Sequence, residues 1–235
     1  MKAQTDIFGK ALETYFQNQK NQVLTTWTNL TEEDNVPLSY FFRDFKQMPK
    51  LEQKALELAE GKVLDVGCGP GSHSLYLQNN KKLDVTALDI SEGAIRVTQQ
   101  RGVRQTVCAS ILDFKNQKFD SILLLMNGMG IGKSIQKLPL LISHLKSLLA
   151  PKGSIFVDSS DLIYLFDEDD ISLWKEDEVY YGEVNYGVRF ENESEEFPWL
   201  YVDPDELKNA CLKAGLNFKI VEKGSNKDYL AELKS

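Results

Sequence analysis

The sequence predicts an α/β fold in which a mostly parallel sheet is wound by helices on both faces. Three observations carry that expectation. Short apolar runs alternate with helical patterns from Lys62 to Asp158. The run from Phe119 to Met126 is of the continuously apolar kind expected of a strand covered on both faces. Three glycines, Gly67, Gly69 and Gly71, join the first run to the first helical pattern that follows it. A length of 235 residues, 42% hydrophobic, suits one domain or one domain carrying an insertion. It is enough to bury a core without disulfides or metals.

The first sixty residues read as a helical segment. Phe8, Leu12, Tyr15 and Phe16 recur at helix spacing, Val23, Leu24 and Trp27 continue the face, and Thr31-Glu-Glu-Asp reads as a helix start running into a loop. Tyr40, Phe41, Phe42 and Phe45 form an aromatic cluster, and a helix follows from Lys50 to Ala59. The alternation then gives strands at Val63–Val66, Leu83–Asp89, Gln105–Ala109, Phe119–Met126 and Ser154–Asp158. Helices at Ser72–Gln78, Glu92–Arg101 and Ser134–Leu149 separate them. Beyond Ser159 the alternation stops, and Val179–Gly182 and Val184–Phe190 look like paired strands. Asp203-Pro204 opens a helix to Ala214, with an N-cap followed by proline in the first turn. Phe218–Glu222 and Tyr229–Leu233 close the chain as a hairpin.

Charge is uneven. The chain carries a net −8, yet residues 158 to 196 hold fourteen acids against Lys175 and Arg189, leaving the remainder at net +4. An acidic average argues against nucleic acid as a partner. No apolar run reaches the roughly 20 residues that span a bilayer, and Met1 to Gln19 has no signal-peptide core. Cys68, Cys108 and Cys211 match neither a disulfide framework nor a metal spacing. The expectation is a reduced, cytoplasmic protein with no metal, no membrane partner and an undetermined oligomeric state.

Val63-Leu-Asp-Val-Gly-Cys-Gly-Pro-Gly71 is the most informative stretch. A strand feeding a glycine turn into a helix lets a ligand approach the backbone and meet free N–H groups. Eighteen residues after Gly71, the second strand ends in Asp89, an acid able to accept from both hydroxyls of a ribose. A dinucleotide site wants a third glycine where Ser72 stands. This chain instead has Asp65 two residues before Gly67. That D-x-G-x-G turn, with Asp89 and the closing hairpin, resembles the class I S-adenosylmethionine-dependent methyltransferases over about residues 60 to 160 and 203 to 235. The whole chain is similar to uncharacterised bacterial members carrying the same N-G-x-G and acidic-insertion pattern.

The resemblance implies a Rossmann-like, doubly wound sheet of seven strands with an antiparallel closing hairpin, and S-adenosyl-L-methionine as cofactor. Asp65 would organise the turn and contact the cofactor's amino end. Gly67, Cys68 and Gly69 would line its methionine portion, Asp89 would hold the ribose and Ile90 would pack on the adenine. Relatives often place an acid after the third strand; here Ser110 and Ile111 stand there, with Asp113 next. Asn127, ending the fourth strand, is either a turn residue or a cofactor contact. It lacks the prolines and aromatic that base-methylating relatives carry there.

Three groups are candidates for a base: His73 after the glycine turn, and Asp158 and Asp161 at the end of strand five. Arg43 would pair with an anion, or sit beside core aromatics. The insertion at about 160–200 combines acids such as Asp167 to Asp170 with aromatics including Tyr164, Trp174, Tyr186 and Trp199. Such a mixture can cage a cation, and it can equally be a solvated loop packing onto the domain. The organisation expected is an N-terminal helical cap over 1–60 and a methyltransferase domain over 61–235 with a lid at about 160–200. The activity expected is in-line methyl transfer to a small-molecule acceptor. A protein methyltransferase acting on a basic peptide and a non-catalytic cofactor binder are the alternatives.

Overall fold

The computed structural model describes residues 6–18, 20, 22–166 and 180–235. The chain begins with helix α1 (Ile7–Asn18), strands β1 (Val23–Thr28) and β2 (Thr31–Pro37), and helix α2 (Lys50–Leu58). It continues through β3 (Lys62–Val66), α3 (Ser72–Asn79), β4 (Asp84–Asp89), α4 (Glu92–Gln100), β5 (Gln105–Cys108) and β6 (Phe119–Leu124). Then come α5 (Leu138–Ser147), β7 (Leu149–Ser160), β8 (Glu183–Phe190) and β9 (Glu193–Leu200). It ends with α6 (Pro204–Lys213), β10 (Asn217–Lys223) and β11 (Asp228–Lys234).

The main sheet has seven strands in the order β10-β11-β7-β6-β3-β4-β5. β7, β6, β3, β4 and β5 run parallel, and β11 pairs antiparallel with both β7 and β10. The expected α/β fold with its closing hairpin is therefore present. Alternate side chains serve opposite faces, as a strand's period of two requires. Leu64, Ile122, Leu124, Ile155 and Val157 meet α5 and α6. Val63, Val85, Leu123 and Phe156 meet α2 and α3. α6 starts as its sequence dictates: Asp203 accepts from the N–H of Asp205 at 2.8 Å and Glu206 at 3.1 Å, and Pro204 takes the first turn.

A second sheet, in the order β2-β1-β8-β9, joins the N-terminal segment to the acidic insertion. This corrects the helical reading of Val23 to Trp27 and of Thr31 onward. Val23, Thr25, Thr26 and Thr28 are β-branched, and β1 finds its partner in β8, more than 150 residues away (Thr25 faces Arg189). The partner of Val184–Phe190 is also corrected: β8 pairs with β9, from Phe190↔Glu193 to Glu183↔Leu200. Neither insertion strand belongs to the main sheet. Asp167 to Asp170, Trp174 and Val179 lie outside the described residues. Among the described residues no helix is long and apolar enough to cross a membrane.

Helix α1 is pinned to α4 by close backbone contact. A methyl group on Gly93 would fall 2.6 Å from the Gly9 Cα. Asp6 caps α1 by accepting from the Gly9 N–H at 2.9 Å. Its other oxygen accepts from Ser91 Oγ and the Gly93 N–H, both at 2.9 Å. On the far side, Ile7 and Ala11 pack with Leu24, Val188 and Phe190 of the second sheet and with Leu38 just after β2. So α1 is the layer between α4 and the second sheet. Gly93→Ala gains about 1 kcal/mol of helix propensity but forces backbones apart, an overpacking cost of about 1–3 kcal/mol. The variant should be less stable than the parent in urea unfolding. A gain in stability would show that α1 does not cross α4 this closely.

Candidate active site

The carboxyl ends of β3, β4, β5, β6 and β7 face one crevice, where ligands of open parallel sheets collect. Its floor is the glycine turn. Gly67, Gly69 and Gly71 all have positive φ, at 72°, 52° and 80°. The turn is held from three sides. Gly67 and Cys68 donate to the Leu88 carbonyl at 2.8 and 3.1 Å, Thr98 Oγ1 donates to the Gly69 carbonyl at 2.7 Å, and Ser72 Oγ donates to the Phe41 carbonyl at 2.7 Å. A methyl on Gly67 would meet nothing nearer than Ile131 Cδ1 at 3.9 Å, and one on Gly69 nothing nearer than Phe8 Cε1 at 3.9 Å. Open space therefore stands over these two glycines, with Ile131 at one side and Phe8 at the other. Gly71 is different, because Thr98 Cγ2 lies 2.8 Å from where its side chain would be.

Asp89 stands at the crevice edge. One carboxylate oxygen accepts from the Gly69 N–H at 2.9 Å and the other from the Ser91 N–H at 2.9 Å. Burial pushes its pKa up to about 6, against the pull of those two amides. Ile90 beside it is 70% exposed, an apolar surface with no protein cover. Across from it Ile111 is buried, and Ser110 Oγ accepts from the Leu112 N–H at 3.3 Å. Asp113 is exposed. Asp65 is only 1% exposed and accepts from Ser74 Oγ at 2.6 Å, so it braces the start of α3 from below. Burial raises its pKa despite the nearby His73 charge.

A second cluster adjoins the turn. Glu52, on α2, bonds His73 Nε2 at 2.6 Å through one oxygen and accepts from Arg43 Nη2 through the other. Arg43 also donates to the Tyr40 carbonyl and stacks its guanidinium on the Tyr40 ring, 3.8 Å from the centroid. Its Nε is buried with no partner among the described residues. Burial alone would push Glu52 up, but the His73 hydrogen bond and the charges of His73 and Arg43 hold it below its ordinary value. His73 is the mirror case: burial lowers it, and Glu52 and Asp65 more than restore it. Sequence reasoning missed Glu52, which lies in an ordinary amphipathic helix. It also missed Phe8 and Asp6, read only as helix face and N-terminus.

The third group lies beyond β6 and β7. Asp158 is 8% exposed, and burial pushes its pKa up to about 7 although it accepts from the N–H groups of Met126 (3.0 Å) and Asn127 (2.7 Å). β6 accordingly ends at Leu124 rather than Met126. Asp161 accepts through one oxygen from the Ile163 N–H at 3.0 Å and the Tyr181 hydroxyl at 2.7 Å. Trp199 seats its indole where a side chain on Gly130 would be. Tyr186 packs against Phe197 and Trp199, with ring centroids 5.8 and 6.2 Å apart. Tyr164 is 58% exposed, and Tyr201, another residue sequence reasoning missed, has its hydroxyl raised by burial and by Tyr186 and Tyr164 nearby. The crevice thus brings the predicted residues together in three groups, with Arg43 turned toward Glu52 rather than toward Tyr186 and Trp199.

Comparison with known proteins gives the following. Residues 63–153 match the family model described as a methyltransferase domain. A Bacteroides fragilis S-adenosylmethionine-dependent methyltransferase, solved with S-adenosyl-L-homocysteine, is 37% identical. It superposes with a TM-score of 0.89, over 99% of this chain and 96% of that one. An amino pentose methyltransferase from Micromonospora echinaspora (17% identical, TM-score 0.55) covers 78% of this chain and 86% of its own. A sugar N-methyltransferase from Streptoalloteichus sp. (14%, 0.58) covers 83% and 87%. An uncharacterised Synechococcus protein is 30% identical over 111 residues, 44% of this chain, and the match spans about a quarter of that relative's length.

The Glu52 pair fixes a pH signature. His73, raised in the fold, contributes stability that is complete below its ordinary 6.5 and lost as pH rises through its folded value. Glu52, lowered in the fold, contributes stability present above its ordinary 4.5 and lost as pH falls through its folded value. Glu52→Gln breaks a buried pair and should cost about 3–5 kcal/mol near pH 6. The His73 ring proton signal should also titrate at lower pH than in the parent. An unmoved His73 titration would show that Glu52 does not set it.

Proposed function

Because the chain belongs to the class I S-adenosylmethionine-dependent methyltransferases, we propose that it transfers a methyl group from S-adenosyl-L-methionine to a small-molecule acceptor. The observation that carries the cofactor half is the open space over Gly67 and Gly69 beside the Asp89 carboxylate. A cradle that side chains would fill, edged by an acid and by the exposed Ile90, suits a nucleoside with a flexible charged tail.

In this reading Asp89 accepts from the ribose hydroxyls and Ile90, Ser110 and Ile111 flank the adenine. The Gly67-Cys68-Gly69 backbone and the Arg43 Nε meet the methionine end, with Asp65 bracing the turn, and Asn127 faces the sulfonium from the acceptor side. The bound cofactor supplies an electrophilic methyl on a sulfonium that leaves without protonation. The protein's share is then alignment, which can supply about 7–11 kcal/mol of a barrier. A base is required only for an acceptor that arrives protonated. His73, Asp158 and Asp161 serve the acceptor side, by taking a proton or by holding the groups that touch the acceptor. Tyr164, Tyr186 and Trp199 wall that side. The N-terminal segment and the 160–200 insertion act as its cover, and the protein works in the cytoplasm. The sugar-modifying structural neighbours agree with a small acceptor.

The test is calorimetry followed by transfer. The parent should bind S-adenosyl-L-homocysteine and not NAD. Asp89→Ala removes hydrogen bonds to a charged acceptor, about 1.5–3 kcal/mol, and should weaken binding by about tenfold or more. Labelled cofactor should then methylate a component of a small-molecule extract. Unchanged affinity in Asp89→Ala would remove the ribose role, and label passing only to protein would replace the small acceptor by a peptide.

A further inference from the structure

Non-glycine residues seldom take left-handed backbone angles, and when two do so in succession something must hold them. Met126 and Asn127, directly after β6, have φ of 62° and 57°. Their consecutive N–H groups converge on a single carboxylate, Asp158, at 3.0 and 2.7 Å, one to each oxygen. Such a pair of amides is an anion cradle, and here a side chain from the neighbouring strand fills it. Ser160, two residues further along β7, donates its hydroxyl to Asn127 Oδ1 at 3.1 Å. Asn127 is thus fixed at its backbone and at its side chain, both from β7. The turn it opens runs through Gly128–Gly132, and Gly130 in that turn is the seat of the Trp199 indole.

We propose that Asp158 is a positioning residue for methyl transfer. With both oxygens committed to the Met126 and Asn127 amides, it presents Asn127 and the Trp199-bearing turn to the acceptor instead of exchanging a proton with it. This rests on the reading that the acceptor binds beyond β6 and β7. Ionised, the carboxylate accepts both amides. Protonated, one oxygen carries a hydrogen that the facing amide cannot use. The groups in its field are Glu52 and His73, with Tyr40 and Tyr229 also facing it.

The experiment combines amide hydrogen exchange at Met126 and Asn127 with calorimetry and transfer from labelled cofactor to the small-molecule extract. In Asp158→Asn one of the two amides faces an NH2 in place of an oxygen and should exchange about tenfold faster or more. Affinity for S-adenosyl-L-homocysteine should stay within about threefold of the parent while transfer falls by about tenfold or more. Adding Met126→Gly, which takes the left-handed angle without a clamp, should return part of the protection at Asn127 and part of the transfer. Lost transfer with the two amides still protected would mean that Asp158 acts on the acceptor itself, and a tenfold loss of cofactor affinity would place it in the cofactor site. Either result overturns the proposal. Should Asp158→Asn not fold, the unaltered protein decides: protection of both amides should weaken as pH falls from about 8 to about 5, and constant protection overturns the clamp. A parent that binds no S-adenosyl-L-homocysteine would fail the functional reading itself, whatever the exchange shows.

Discussion

Asp89 accepts one backbone N–H from each wall of the crevice, Gly69 on the turn after β3 and Ser91 at the start of α4. Those two hydrogen bonds set the spacing between the glycine turn and the next helix. Ser91 passes the constraint outward, since its hydroxyl donates to Asp6 and accepts from the Ala94 N–H. Asp6 in turn caps α1 and binds Gly93. A chain of short polar contacts therefore runs from the sheet edge to the N-terminal helix, and α1 brings Phe8 to the open side of Gly69. The cost is a half-buried carboxylate whose pKa has risen to about 6. A bound ribose would add donors to that carboxylate, which is how the proposed ligand and the fold support each other.

The two sides of the crevice are built differently. The glycine-turn side is local, because Asp65, the glycines, His73 and Asp89 come from one β-α-β stretch. The side beyond β6 and β7 is assembled from distant pieces: Asp158 and Ser160 from β7, Tyr186 and Trp199 from β8 and β9, and β1 of the N-terminal segment beside β8. The second sheet makes those pieces one body. β1 pairs with β8, and Arg189 on β8 donates to Glu33 on β2 at 2.8 Å. The insertion and the N-terminal segment are consequently joined by backbone pairing as well as by the apolar contacts under α1. A change in either would be felt at Trp199.

The same division explains what could be read from sequence. β3, β4, β6, α4 and the closing hairpin were legible because each declares itself through a short-range pattern. The Asp203-Pro204 start of α6 was legible for the same reason. Val23 to Trp27 was not, because its strand character depends on β8, which lies far along the chain. Glu52 was invisible because nothing in Lys50–Leu58 distinguishes a buried acid from a solvated one. Only the arrival of Arg43 and His73 gives it a role. The end of β6 was misplaced by two residues because the left-handed turn at Met126 and Asn127 is imposed by Asp158, a side chain from another strand. Ser110 and Asp113 remain ordinary in both views, one a turn cap and the other exposed.

The central claim is that one crevice, with its floor at Gly67 and Gly69 and its edge at Asp89, holds the cofactor while the β6 and β7 ends face the acceptor. A crystal structure of the unaltered protein grown with S-adenosyl-L-homocysteine tests it most directly. The account predicts ligand density over Gly67 and Gly69, the ribose hydroxyls within hydrogen-bond distance of Asp89, the adenine against Ile90, and the sulfur facing the Asn127 turn. Density elsewhere, or a ligand in the crevice with its ribose away from Asp89 and its sulfur away from β6 and β7, would contradict it.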